Sequence, residues 1–138
     1  MNLIVCLEDK NGMMFNKRRL SQDVVIREDI YNNLESKSLI MNNYSFKMFQ
    51  QDNSDKNIVV SEDLPVDNNE DFQFIEDKQL SKYEDKIHKL IVYYWNRRYP
   101  SDLKFDINLS SDKWEVISET EFPGKSHEKI TKKIILKK

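Results

Sequence analysis

Cysteine, glycine and histidine are all scarce in this chain, and the scarcities narrow what it can be. One cysteine in 138 residues leaves no intrachain disulfide. Cys6 lies inside the apolar run Leu3-Ile4-Val5-Cys6-Leu7, so it reads as core packing in a protein built for a reducing cytoplasm. Long hydrophobic runs are missing too. No window approaches the roughly 18 apolar residues of a membrane span, and no basic segment leading into a signal-length apolar stretch stands at the start. Nor is there an excess of positive charge: the formal net charge is −2 and the pI about 5.7. That balance argues against general nucleic-acid binding, which is dominated by phosphate neutralisation, while leaving room for a local basic patch.

What is present suffices for one globular domain over residues 1–138. With 38% hydrophobic and 33% charged residues, a chain of this length can bury a core without metal or disulfide staples. The run 3–7 predicts a strand buried on both faces and ended by Glu8-Asp9-Lys10-Asn11-Gly12. Residues 13–21 read as a polar loop. Ser21 or Asp23 can then cap a helix whose apolar face is Val24, Val25, Ile30, Tyr31 and Leu34. Further strands are expected over residues 38–41, 57–61, 72–75, 89–95, 114–118 and 129–138, short helices over 44–49 and 79–86, and an exposed mobile loop over 63–71. The last two strands form an antiparallel pair across Phe122-Pro123-Gly124-Lys125-Ser126-His127. Strands alternating with helices early and strands alone late give an α/β class, a central mixed sheet flanked by helices.

Four of the five arginines stand in two adjacent pairs, Arg18-Arg19 and Arg97-Arg98, while the remaining positive charge comes almost wholly from seventeen lysines. A guanidinium grips carboxylate or phosphate with two parallel hydrogen bonds, whereas lysine delivers a hydrated point charge. The pairs therefore point to an anion site. The competing reading is that each arginine pairs with one of the twenty-four acids, for example Asp9, Asp102 or Glu121, and pins loops together.

Several phrases, in order along the chain, resemble dihydrofolate reductase. Leu3-Ile4-Val5-Cys6-Leu7-Glu8-Asp9 resembles that family's opening strand, Leu39-Ile40-Met41-Asn42-Asn43-Tyr44-Ser45-Phe46 its second strand and helix start, and Asn57-Ile58-Val59-Val60 its third strand. Phe74-Ile75 with Gln79-Leu80, Ile87-His88-Lys89-Leu90-Ile91-Val92-Tyr93, and Asp102-Leu103-Lys104-Phe105 with Trp114-Glu115-Val116-Ile117-Ser118 resemble its later half. The resemblance implies a shortened dihydrofolate-reductase-like topology, with one strand-helix unit lost between Val60 and Phe72. It also exposes departures. Reductases place a glycine pair where cofactor phosphates approach the backbone, and here Glu76-Asp77 stands there. Asn42 and Asn43 replace an expected glycine and basic residue, and the tryptophan of the active-site loop is missing. Ungapped counting puts Ile26 at the catalytic carboxylate, with Asp23 and Asp29 each one helical turn away. A working folate reductase is therefore not expected, and the cofactor is left open. The phrases from Asn11 to Arg19, Trp95 to Pro100 and Glu121 to Ile130 also resemble a group of small bacterial proteins, some of them called ribonuclease Z. That metallo-hydrolase needs a dense histidine and aspartate cluster for two zinc ions, and this chain has only His88 and His127, so no metal is expected.

On a reductase-like scaffold the loop after the first strand, the turn after the long strand and the late hairpin should meet at one edge. Lys17, Arg18, Arg19, Arg97, Arg98, Lys125 and Ser126 would then form a basic pocket for a phosphorylated or nucleotide-like ligand, with His127 and Asp23 as the acid-base candidates. The bland readings are a loop-pinning histidine and a helix-capping aspartate. Glu76-Asp77 could hold a divalent cation or simply end a strand in solvent. Trp95, Tyr93, Tyr94 and Tyr99 could stack a base, although strand alternation sends half of them into the core. Oligomeric state is not legible in the sequence.

Overall fold

A computed structural model describes residues 1–52 and 57–138. Seven strands form one sheet: β1 (Asn2–Leu7), β4 (Leu39–Met41), β5 (Ile58–Val60), β6 (Phe72–Phe74), β7 (Lys89–Tyr94), β9 (Trp114–Phe122) and β10 (Ile130–Lys137). They run in the order β5-β4-β6-β1-β7-β10-β9. The first five in that order are parallel neighbours, and β10 is antiparallel to both β7 and β9. The first strand is thus interior to a mixed sheet and the last two are an antiparallel pair. Both features match the topology that the sequence implied.

Alternation along the inner strands distributes the core between two faces. Leu3, Val5 and Leu7 of β1 and Leu90 and Val92 of β7 join one cluster, with Ile87, Phe105, Ile107 and Trp114 covering it. Ile4 of β1, and Ile91 and Tyr93 of β7, join the other. Both helices cover that second face: α1 (Val24–Asn32) through Ile26, Ile30 and Tyr31, and α2 (Asn43–Phe49) through Met48 and Phe49. Each starts on a side-chain cap, since Asp23 accepts from the amide of Val25 and Asn42 from that of Ser45. Helix α1 is also tied to the sheet by charge. Lys132 of β10 lies 2.8 Å from the Asp29 carboxylate, which accepts the Tyr93 hydroxyl as well. The buried Arg27 makes a paired contact with Asp52.

Four expectations change. Residues 13–21 are no loop: β2 (Gly12–Phe15) and β3 (Arg18–Arg19) make an antiparallel hairpin, to which β8 (Leu103–Lys104) adds. Its two turn residues, Asn16 and Lys17, take φ of 51° and 60°, as a two-residue hairpin with matching twist requires. The helix expected over residues 79–86 is a 3₁₀ helix, Ser81–Lys86, whose start is held by the Asp106 carboxylate accepting from Leu80 and Ser81. The final hairpin's first strand runs on to Phe122, beyond residue 118. The segment 63–71 is pinned: Leu64 is buried in the core, and the Gln73 side chain bonds both the amide and the carbonyl of Val66. No helix among the described residues is long and apolar enough to cross a membrane.

Candidate functional site

Three distant segments meet at His127. Ser21 and Asp23 come from the run into α1, Tyr99 from the turn that follows β7, and His127 from the hairpin between β9 and β10. The Asp23 Oδ2 lies 2.9 Å from His127 Nδ1, and the Ser21 Oγ lies 2.9 Å from His127 Nε2. The Tyr99 hydroxyl is 3.2 Å from the same Nε2. A carboxylate only accepts, so Nδ1 carries the hydrogen, and Nε2 of the neutral ring is left as an acceptor facing two hydroxyls. Both the His127 ring and the Asp23 carboxylate are buried. The ring lies against the indole of Trp95, centroids 4.7 Å apart.

Asp23 is also the anion around which the late hairpin folds. The amides of Lys125 and Ser126 donate to its two oxygens at 3.0 Å, and the Ser126 hydroxyl approaches at 3.3 Å. Burial pushes this carboxyl up, but the donations from Lys125, His127, Ser126 and Val25 outweigh it and hold the group well below the usual carboxylate range. Gly124 is required by the same contact, because a Cβ there would strike Asp23 Oδ2 and crowd the His127 carbonyl.

The basic candidates divide. Arg19 spends its fork internally, with Nε 2.9 Å and Nη2 3.0 Å from the two Glu76 oxygens, and its guanidinium lies 4.4 Å over the Tyr44 ring. Glu76 also accepts the Ser45 hydroxyl at 2.6 Å. For Arg19 the loop-pinning reading holds, with Glu76 as the acid. Lys17 lines a separate groove with Asp77 and Asp102. Arg18 lines a shallow depression with Tyr99 and Pro100, and Arg97 donates to the Ser126 carbonyl at 3.3 Å. Arg98 is exposed beside Tyr99, and the Lys125 side chain is exposed in the hairpin turn. Among the described residues none of Arg18, Arg97, Arg98 and Lys125 has a carboxylate within ion-pair distance. Of the acids named as pinning partners, Glu121 pairs with Lys129, and Asp102 accepts the amide of Asn16.

Behind Ser21 a narrow apolar cleft of about 20 Å³ opens to solvent, walled by Leu20, Ile26, Met48, Phe49, Phe74 and Trp95, with Arg19, Ser21, Asp23 and Glu76 among its polar groups. Cys6 also borders it, but burial first and Glu76 second push its thiol up, so no thiolate forms near neutrality. The proposed aromatic platform does not form. Tyr93 and Trp95 are buried on one face of the sheet, while Tyr94 packs against the opposite core. Among the described residues no group of three or more His, Cys, Asp or Glu could hold a metal ion. The cofactor implied by the resemblance does not fit either. At the place of the glycine pair, Glu76 is already enclosed by Arg19 and Ser45, and Asp77 adds a second carboxylate that would repel a pyrophosphate.

Sequence reasoning proposed Asp23 and His127 independently. It read Ser21 only as a cap and Tyr99 only as a stacking group, because neither has a local sequence signal for a contact 106 or 28 residues away. No protein-family model matches the chain, and no curated protein matches it. Among solved structures, dihydrofolate reductase from Enterococcus faecalis, complexed with NADP(H) and RAB-propyl, superposes with a TM-score of 0.66 over 99% of this chain and 95% of that one, at 7% identity. Its strand order, its antiparallel final pair and this superposition give the chain a dihydrofolate-reductase-like fold.

Proposed function

We propose that the chain binds a small anionic ligand, phosphorylated or nucleotide-like, at the corner where the β3-to-α1 run, the turn after β7 and the late hairpin meet. The observation that carries this reading is the group of cations at that corner. Arg18, Arg97, Arg98 and Lys125 have no carboxylate partner among the described residues, on a chain whose net charge is −2. Local positive charge left unneutralised on an acidic protein attracts anions and raises their local concentration. Arginine adds the bidentate geometry suited to phosphate. The cleft beside Ser21 is too narrow for a nucleoside, so the rest of the ligand would lie on the open surface along Arg18, Tyr99 and Pro100. Arg19 borders the site with its fork already filled by Glu76, so it offers no free fork to an anion, and Lys17 lies in a separate groove.

The reductase that shares the fold is complexed with NADP(H), which supports a nucleotide-like class. The dinucleotide itself is not the expected ligand, because Glu76 and Asp77 oppose its pyrophosphate. A thermal melt with inorganic phosphate, nucleoside monophosphates and NADPH tests the proposal. A nucleoside monophosphate at about a hundred times its dissociation constant should add roughly 2.7 kcal/mol, a rise in Tm on the order of 8 °C. NADPH should leave the melt unchanged. If no phosphate compound moves the melt, or only NADPH does, the proposal fails.

A further inference from the structure

We propose that Ser21, His127 and Asp23 form a hydrolytic relay, in which the Ser21 hydroxyl attacks carboxylic esters with a very small acyl group, such as acetyl, at the mouth of the cleft beside it. The proposal rests on the order of contacts. Ser21 Oγ is 2.9 Å from Nε2, Nδ1 is 2.9 Å from Asp23 Oδ2, and the far end of the chain is buried while Ser21 is half-buried at the cleft wall. Nucleophile, base and orienting carboxylate therefore stand in hydrogen-bond sequence, the arrangement that activates a serine wherever it occurs, whatever the order of the residues along the chain. Asp23 touches no substrate. It acts as a positioning residue, fixing the Nδ1–H form of the ring so that the Nε2 lone pair meets the hydroxyl. The amides of Val25, Lys125 and Ser126 hold Asp23 in place, and Trp95 backs the ring.

In the first step a bond forms between Oγ and the ester carbonyl carbon while the hydroxyl proton passes to Nε2. The carbon–oxygen bond to the alcohol then breaks, and the leaving oxygen takes that proton. In the second step water adds to the acyl carbon, giving its proton to Nε2, and the bond to Oγ breaks as the serine recovers a proton. The sum is ester plus water giving acid plus alcohol. The narrow cleft walled by Leu20, Ile26, Phe49 and Trp95 limits the acyl group to a small apolar one. A Tyr99 hydroxyl 3.2 Å from Nε2 gives the protonated ring a second acceptor.

The test needs no phosphate at the arginines, so its outcome is separate from that of the binding proposal. The intact protein is treated with an alkyl fluorophosphonate, whose phosphorus bonds to an activated serine oxygen while fluoride leaves and the proton goes to the histidine. Intact mass and peptide mapping should show one adduct, on Ser21. Ser21→Ala should abolish it without shifting the melt by more than a few degrees, and His127→Gln, checked for folding by circular dichroism, should slow it about 100-fold or more. p-Nitrophenyl acetate hydrolysis should follow the same order. A folded wild-type protein that gives no Ser21 adduct overturns the relay, and so does an adduct that forms equally fast in folded His127→Gln.

Discussion

Asp23 is the helix cap that the sequence suggested and also, through the fold, the partner of His127. Its carboxylate takes the Val25 amide at the start of α1 and, from the late hairpin, the amides of Lys125 and Ser126, the Ser126 hydroxyl and the His127 ring. Because those donors favour the charged form, the folded-state pKa is depressed below that of the unfolded chain. The group's contribution is therefore fully present above the unfolded carboxylate value, near 4, and fades as the pH falls below it toward the folded value. Asp23→Ala should cost about 3 kcal/mol in urea unfolding at pH 7, since it orphans three partly buried amides and a buried ring nitrogen. The gap between variant and wild type should narrow steadily below about pH 4, and a gap constant down to pH 2 would contradict this account. Sequence reasoning could name both residues because a Ser-x-Asp helix entry and a polar histidine loop have local signatures. It could not pair them, because their contact spans 104 residues and depends on the fold.

At the scale of elements, the legible parts are those with a clear period. β1 and β7 alternate between two apolar faces, and α1 carries its cap at Asp23, one of the two expected places. The β2–β3 hairpin was hidden because its turn uses Asn16-Lys17, not the usual Asn-Gly, and because its pairing partner β8 lies some ninety residues on. Arg19 was read as part of an anion site because nothing local shows that Glu76, 57 residues away, fills its fork. The late hairpin carries its own prediction. Both glycines of the chain sit where side chains crowd the backbone, Gly12 against Ser101 and then Glu8, Gly124 against Asp23. At Gly124 the obstacle includes the His127 carbonyl, which cannot swing aside as a side chain can. Gly124→Ala should therefore destabilise the protein by roughly 1–3 kcal/mol. Chemical denaturation measures it directly, and a neutral or stabilising result would mean that the turn has slack absent from the packing described above.

Across the whole molecule, the topology was readable from the order of strands and helices, because buried parallel strands write continuous apolar runs and a final antiparallel pair writes a turn between two long ones. Function was less readable, because it lies in loops that only the sheet brings together. On a scaffold of reductase type, Glu76 fills the fork of Arg19, and the loops beside the Ser21–His127–Asp23 network form the corner proposed above as an anion site of Arg18, Arg97, Arg98 and Lys125. The central claim is that this corner binds an anion through guanidinium forks. Isothermal titration of a nucleoside monophosphate into the wild type and into Arg18→Lys/Arg97→Lys tests it most directly, since the substitution keeps the charge and removes only the bidentate geometry. The account predicts saturable binding to the wild type, at least about tenfold weaker in the variant, roughly 1.4 kcal/mol, with both proteins melting alike in the absence of ligand. Equal affinity in the two proteins, or no binding to the wild type, would contradict it.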